Sequence, residues 1–129
     1  MILVDTSIWV DHLRAGNRAL AELLERSAVL GHPWVTGELA LGSLSRRNEV
    51  LQLLNSLPQA DVATSAEVAT SIERNRLYGL GIGYVDAQLL AATRLTPEAR
   101  LWTQDKRLAA VAARQGLFVE PAARHRDDT

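Results

Sequence analysis

A chain of 129 residues with 47% hydrophobic content is long enough for one self-sufficient core, burying roughly two-thirds of the surface its unfolded form exposes. The absence of cysteine excludes disulfides and thiolate metal sites and fits a cytoplasmic setting. A net charge of −1, from 14 basic and 15 acidic residues, excludes a protein that grips nucleic acid mainly through a basic surface, so any phosphate it meets must be neutralised another way.

No apolar run approaches the ~18 residues of a membrane span. The start, Met1-Ile2-Leu3-Val4-Asp5, lacks a basic n-region, so no secretory leader is expected. Ile2 to Asp5 is an apolar run ending in an acid, the pattern of a buried strand. Thr6 and Ser7 are placed to cap a helix whose apolar face is Ile8, Trp9, Val10 and Leu13, which Gly16-Asn17 ends. A second helix is predicted from about Arg18 to Arg26, and a second strand from Ala28 to Leu30. After the turn residues Gly31-His32-Pro33, helices are predicted over about 35–44 and 48–57, where Pro58 stops the chain.

Asp61 to Thr64 reads as a third short strand, and Ser65 as the cap of a helix reaching about Tyr78. The loop Gly79-Leu80-Gly81-Ile82-Gly83 runs straight into a helix from about Tyr84 to Arg94. It lacks the Gly-Lys-Ser/Thr ending of a P-loop and is expected to be a flexible entry to that helix. Arg100 to Thr103 reads as a fourth strand, Asp105 to Gln115 as a helix and Gly116 to Val119 as an edge strand. The expected domain covers 1–121, with 122–129 a polar, mobile tail. Strands alternating with helices imply an α/β fold with a mainly parallel sheet covered on both faces. In such folds the ligand site lies beyond the carboxyl ends of the strands.

Four acids stand where that rule points. Asp5 ends the first strand and Asp105 follows the fourth. Glu38 shares a helix face with Val35, Leu39 and Gly42, and Asp86 one with Leu89 and Leu90, so both are expected to face inward. Converging carboxylates repel one another until a proton or a cation intervenes. Mg²⁺ suits an oxygen-only set, as does Mn²⁺, and either can activate water for phosphodiester hydrolysis. Each acid also has a plainer use: turn support for Asp5, a helix cap for Asp105, dipole compensation for Asp86, and a solvated helix position for Glu38. The histidines His12, His32 and His125 show no zinc-ligand spacing. Arg46-Arg47, Arg74, Arg76 and Lys106-Arg107 are either RNA contacts or solvated faces.

The opening Ile2-Leu3-Val4-Asp5-Thr6-Ser7, together with Thr36-Gly37-Glu38-Leu39, Gly83-Tyr84-Val85-Asp86-Ala87-Gln88-Leu89 and Leu101-Trp102-Thr103-Gln104-Asp105-Lys106-Arg107-Leu108, resembles the four motifs of the VapC toxins, PIN-domain partners in toxin–antitoxin modules. That resemblance implies a three-layer α/β/α sandwich with strand order 3-2-1-4-5. It implies a metal-dependent endoribonuclease in which Asp5, Glu38, Asp86 and Asp105 bind Mg²⁺ or Mn²⁺, with Thr6 and Thr103 orienting carboxylates or water. It further implies a homodimer and a cognate VapB-like antitoxin. Two alternatives stand beside it: a catalytically silent binding module on the same fold, and a PIN-type nuclease of RNA processing. A haloacid-dehalogenase-type phosphatase is disfavoured, because Ser7 occupies the place of its second aspartate.

Overall fold

The computed structural model describes residues 1–122. The expected mobile tail therefore lies, from residue 123 onward, outside the described residues. Three parallel strands, β1 (Ile2–Val4), β2 (Val29–Leu30) and β3 (Arg100–Trp102), form a sheet in the order β2-β1-β3. Leu3 stands level with Leu30 on one side and Leu101 on the other. Successive strand residues point to opposite faces, yet Leu3 and Val4 are both buried, as are Leu101 and Trp102. Both faces are therefore covered, as in a three-layer sandwich. The covering helices are α1 (Thr6–Ala15), α2 (Arg18–Glu25), α3 (Pro33–Ala40), α4 (Arg47–Ser56), α5 (Ser65–Arg74), α6 (Tyr84–Leu95) and α7 (Lys106–Arg114). Their buried residues, among them Ile8, Trp9, Leu20, Leu89, Leu90 and Leu108, make one core with the strands.

Two isolated parallel bridges, Gly31 with Gln59 and Leu101 with Phe118, flank the sheet. Reading across, the chain passes residues 59, 30, 3, 101 and 118, which is the order 3-2-1-4-5 with its outer members reduced to single bridges. The strand expected at Asp61–Thr64 does not form. The pairing falls earlier, at Gln59, where Gly31 N–H donates to Pro58 O and Ala60 N–H to Gly31 O. Asp61 N–H then donates to the Thr96 hydroxyl instead of to a neighbouring strand, and Thr64 is already the N-cap of α5.

Helix ends differ from expectation in ways that follow from capping. Asp5, not Thr6 or Ser7, caps α1, and Thr64, not Ser65, caps α5 through a reciprocal capping box with Glu67. The expected helix to Tyr78 stops at Arg74. Arg76 adopts the left-handed conformation (φ 52°), so that Leu77 N–H reaches Ile72 O and Arg76 N–H reaches Glu73 O, a Schellman closure. Helix α3 runs from Pro33 to Ala40, not from 35 to 44: it begins earlier on a His32 cap, and its last helical bonds end at Leu41.

That His32 cap is fully buried; its Nδ1 accepts from Trp34 N–H, while Nε2 has no partner among the described residues. Burial holds its pKa below the ordinary 6.5, so the folded protein keeps it neutral where the unfolded chain would protonate. Stability is therefore complete above about pH 6.5 and declines as the pH falls below it toward the depressed folded value. Denaturant unfolding from about pH 8 to about pH 5.5 should show this decline in the wild type and less of it in His32→Asn, which can still cap the helix. Parallel pH profiles for the two proteins would remove His32 as the cause.

Candidate active site

The carboxyl edge of the sheet gathers the polar side chains. Asp5 follows Val4 directly and is only 7% exposed. Its Oδ1 accepts from Thr6 N–H (2.7 Å), and its Oδ2 accepts from the hydroxyls of Thr103 (2.6 Å) and Ser7 (3.1 Å). The Thr103 hydroxyl also accepts from Asp105 N–H (3.0 Å) and the Ser7 hydroxyl from Gln104 N–H (3.2 Å). These bonds tie the end of β1 and the first turn of α1 to the loop after β3. Thr103 is one of the expected supporting residues; Ser7 is expected as a cap and as part of the opening motif, not as a support for Asp5. Its position two residues past a strand-end acid, on the first turn of a helix, is the signal that could have marked it.

Asp105 caps α7, its Oδ1 accepting from Arg107 N–H (2.9 Å) and Leu108 N–H (3.0 Å). Asp86 sits in the first turn of α6, its Oδ2 accepting from Gly83 N–H (2.8 Å). Glu38 accepts from the Thr6 hydroxyl (2.6 Å). The expectation that Glu38 and Asp86 lie on buried helix faces needs correcting. Val35 and Leu39 are buried, but Glu38 between them is exposed, as is Asp105, while Asp86 is half-buried. In α3 the carboxylate at 38 falls on the flank of the apolar stripe, not at its centre.

The acids share one electrostatic field. Burial raises the Asp86 pKa, the Gly83 N–H opposes that rise, and the charges of Asp5, Asp105 and Glu38 each raise it further. Among the described residues no basic side chain forms an ion pair with any of the four acids. As they stand, no three carboxylate or imidazole groups among the described residues converge tightly enough to enclose a cation. Each acid accepts from a donor of its own or a neighbouring element. The donor set, carboxylates and hydroxyls with no competing cation, still fits a hard divalent ion.

Two clefts open beside Glu38. One, of about 510 Å³, is lined by Thr6, Glu38, Val10, Leu13, Arg14 and Ser45, among others. The other, of about 620 Å³, is largely apolar and is lined by Pro33, Trp34, Gly37, Glu38, Leu41 and Val85. Of the tryptophans, Trp9 and Trp102 are core residues, whereas Trp34 is 40% exposed and meets Tyr84 edge to face. The arginines expected as RNA contacts scatter. Arg46 and Arg47 open α4 just past Ser45, Arg74 lines a separate cleft between α5 and α6, and Arg76 is the Schellman residue after α5. Lys106 and Arg107 form the first turn of α7, directly after Asp105.

A parallel sheet with acids at its carboxyl edge is the arrangement of a PIN domain, and residues 2–114 match that family. The chain belongs to the PIN-domain family. It is 51% identical over 117 residues to the protein named Ribonuclease VapC32 in Mycobacterium tuberculosis, in the strains CDC 1551 and H37Rv alike, with 91% of this chain and 94% of the relative covered. The VapC resemblance carried by the four motifs is borne out.

Proposed function

We propose that this protein is the toxin of a type II toxin–antitoxin module, a divalent-metal-dependent endoribonuclease in which Asp5, Glu38, Asp86 and Asp105 hold Mg²⁺, with Mn²⁺ as a possible substitute. The observation that supports the centre is the carboxyl edge of the sheet, where Thr6 joins Asp5 to Glu38, Thr103 joins Asp5 to Asp105, and no basic side chain is paired to any of the four acids. The ribonuclease reading is supported by the VapC-type relative.

When bound, a divalent cation supplies an activated water and offsets charge on the leaving oxygen of the phosphodiester. The chain's own residues do the positioning. Thr103 and Ser7 fix the Asp5 carboxylate from one side, and the Thr6 hydroxyl holds Glu38 toward it. The N-termini of α6 and α7 hold Asp86 and Asp105 in place through backbone N–H groups, Gly83 N–H on Asp86 Oδ2 and the Arg107 and Leu108 N–H groups on Asp105 Oδ1.

RNA is the substrate in this reading, a VapB-like antitoxin the partner, and a homodimer the assembly. The exposed apolar surface of Trp34, Tyr84 and Leu41, the last 90% exposed, supports a protein partner. No helix among the described residues is long and apolar enough to cross a membrane, and a cytoplasmic setting belongs to the same proposal. The direct test incubates the protein with total RNA and structured tRNA in Mg²⁺, Mn²⁺ or EDTA. Cleavage is expected with a metal and is expected to stop in EDTA. Intact RNA under all three conditions would favour the silent binding module.

A further inference from the structure

The loop that delivers Asp86 is held by very little. Gly79 and Gly81 both adopt positive φ (74° and 79°), and among the described residues no hydrogen bond reaches residues 78–82. Leu80 and Ile82 pack against the core. A further contact comes from α7. A Cβ placed on Gly81 would come within 2.6 Å of Arg107 Nη1 and 2.9 Å of its Cδ, so the arginine side chain lies directly across the glycine. Its guanidinium makes no hydrogen bond or ion pair among the described residues, so the contact is one of packing.

The same residue also holds the other acid, since Arg107 N–H donates to Asp105 Oδ1 (2.9 Å). Two residues beyond Gly81, Gly83 N–H holds Asp86 Oδ2 (2.8 Å). A continuous path thus runs from Asp105 through the backbone and side chain of Arg107, across Gly81, to Gly83 and Asp86.

We propose that Arg107 is a positioning residue, its side chain packed over Gly81 from Cδ to the guanidinium so as to fix the distance between Asp86 and Asp105. This rests on reading those carboxylates as a cation centre and assigns Arg107 a task other than gripping RNA. The contact is steric, with no hydrogen bond in it, so an apolar side chain of similar length should serve and a truncated one should not. Partners that orient metal-binding side chains typically change affinity by about 10–100-fold when removed, and a packing contact belongs at the lower end.

The test measures Mn²⁺ affinity without RNA, by the paramagnetic resonance signal of free Mn²⁺, and RNA cleavage at saturating Mn²⁺. Arg107→Ala is expected to weaken Mn²⁺ binding about tenfold with the RNA KM at saturating Mn²⁺ unchanged. Arg107→Met should stay near wild type, as should Arg114→Ala at the far end of α7. If Arg107→Ala binds Mn²⁺ normally and both Ala and Met raise the RNA KM, Arg107 is an RNA contact and the proposal is overturned. If the wild type itself binds no Mn²⁺, the cation centre is overturned and the positioning role with it.

Discussion

Asp5→Asn is expected to lower RNA cleavage by about 10²–10³-fold, the size of effect seen when a principal charge-stabilising group is lost, while the protein still folds. Asp5 is the most buried of the four acids, and its Oδ2 takes hydroxyls from two different elements. An asparagine can keep the bond from Thr6 N–H through its own Oδ1. Its amide nitrogen then faces the Thr103 and Ser7 hydroxyls, which can rotate to accept from it. Exchanging charge-assisted bonds for neutral ones costs about 1–2 kcal/mol, partly offset because a buried charge has gone. Removing that charge should also bring the Asp86 pKa down, since Asp5 is one of the charges raising it. Burial, the larger cause, would remain, so the Asp86 pKa should still lie above the ordinary carboxylate value. Initial rates at saturating Mg²⁺ and a carboxyl-carbon NMR titration check the two parts separately. A variant that keeps more than about a tenth of the wild-type rate would take Asp5 out of the reacting centre.

The places of the acids were legible in the sequence because they depend on local pattern. An apolar run stopped by Asp5, another stopped just before Asp105, and a glycine-rich entry to the helix of Asp86 all survive in the structure. How deep each acid lies was less legible. Glu38 sits one residue from buried Leu39, and a rotation of one position about α3 separates the stripe from its flank. The strand expected at Asp61–Thr64 is misplaced for a different reason. A pairing between Gly31 and Gln59 is made across the chain, and residues 60–63 bury Ala60 and Ala63 but expose both Asp61 and Val62, which is not the every-second-residue pattern of a strand. The strand order came with the VapC resemblance, because alternating strands and helices alone allow several parallel arrangements. Ser7 escaped because its role depends on Gln104, 97 residues away, and the packing of Arg107 over Gly81 because a glycine offers no side chain to signal it.

Thr103→Val should be the most damaging change that leaves all four acids in place. Thr103 is 4% exposed, and its hydroxyl is the shortest bond to Asp5 Oδ2, at 2.6 Å. Valine keeps the shape and removes the hydroxyl. Asp5 Oδ2 is then left with the Ser7 hydroxyl at 3.1 Å, and Asp105 N–H loses its acceptor. Losing the shorter of the two hydroxyl bonds to a buried carboxylate costs about 1–3 kcal/mol of stability. Freeing Asp5 and Asp105 from their common anchor should cut the cleavage rate about 10–100-fold. Thr103→Ser separates the two effects. It keeps both hydrogen bonds and gives up one buried methyl, worth about 0.8 kcal/mol, so it should lose stability but little activity. Urea unfolding and cleavage rates on the same preparations read both quantities. Valine and serine variants of equal activity would show that the hydroxyl does not hold Asp5 for the reaction. Thr6→Val offers the internal contrast. Its partner Glu38 is exposed and can find water in place of the lost hydroxyl, so its stability cost should be the smaller of the two.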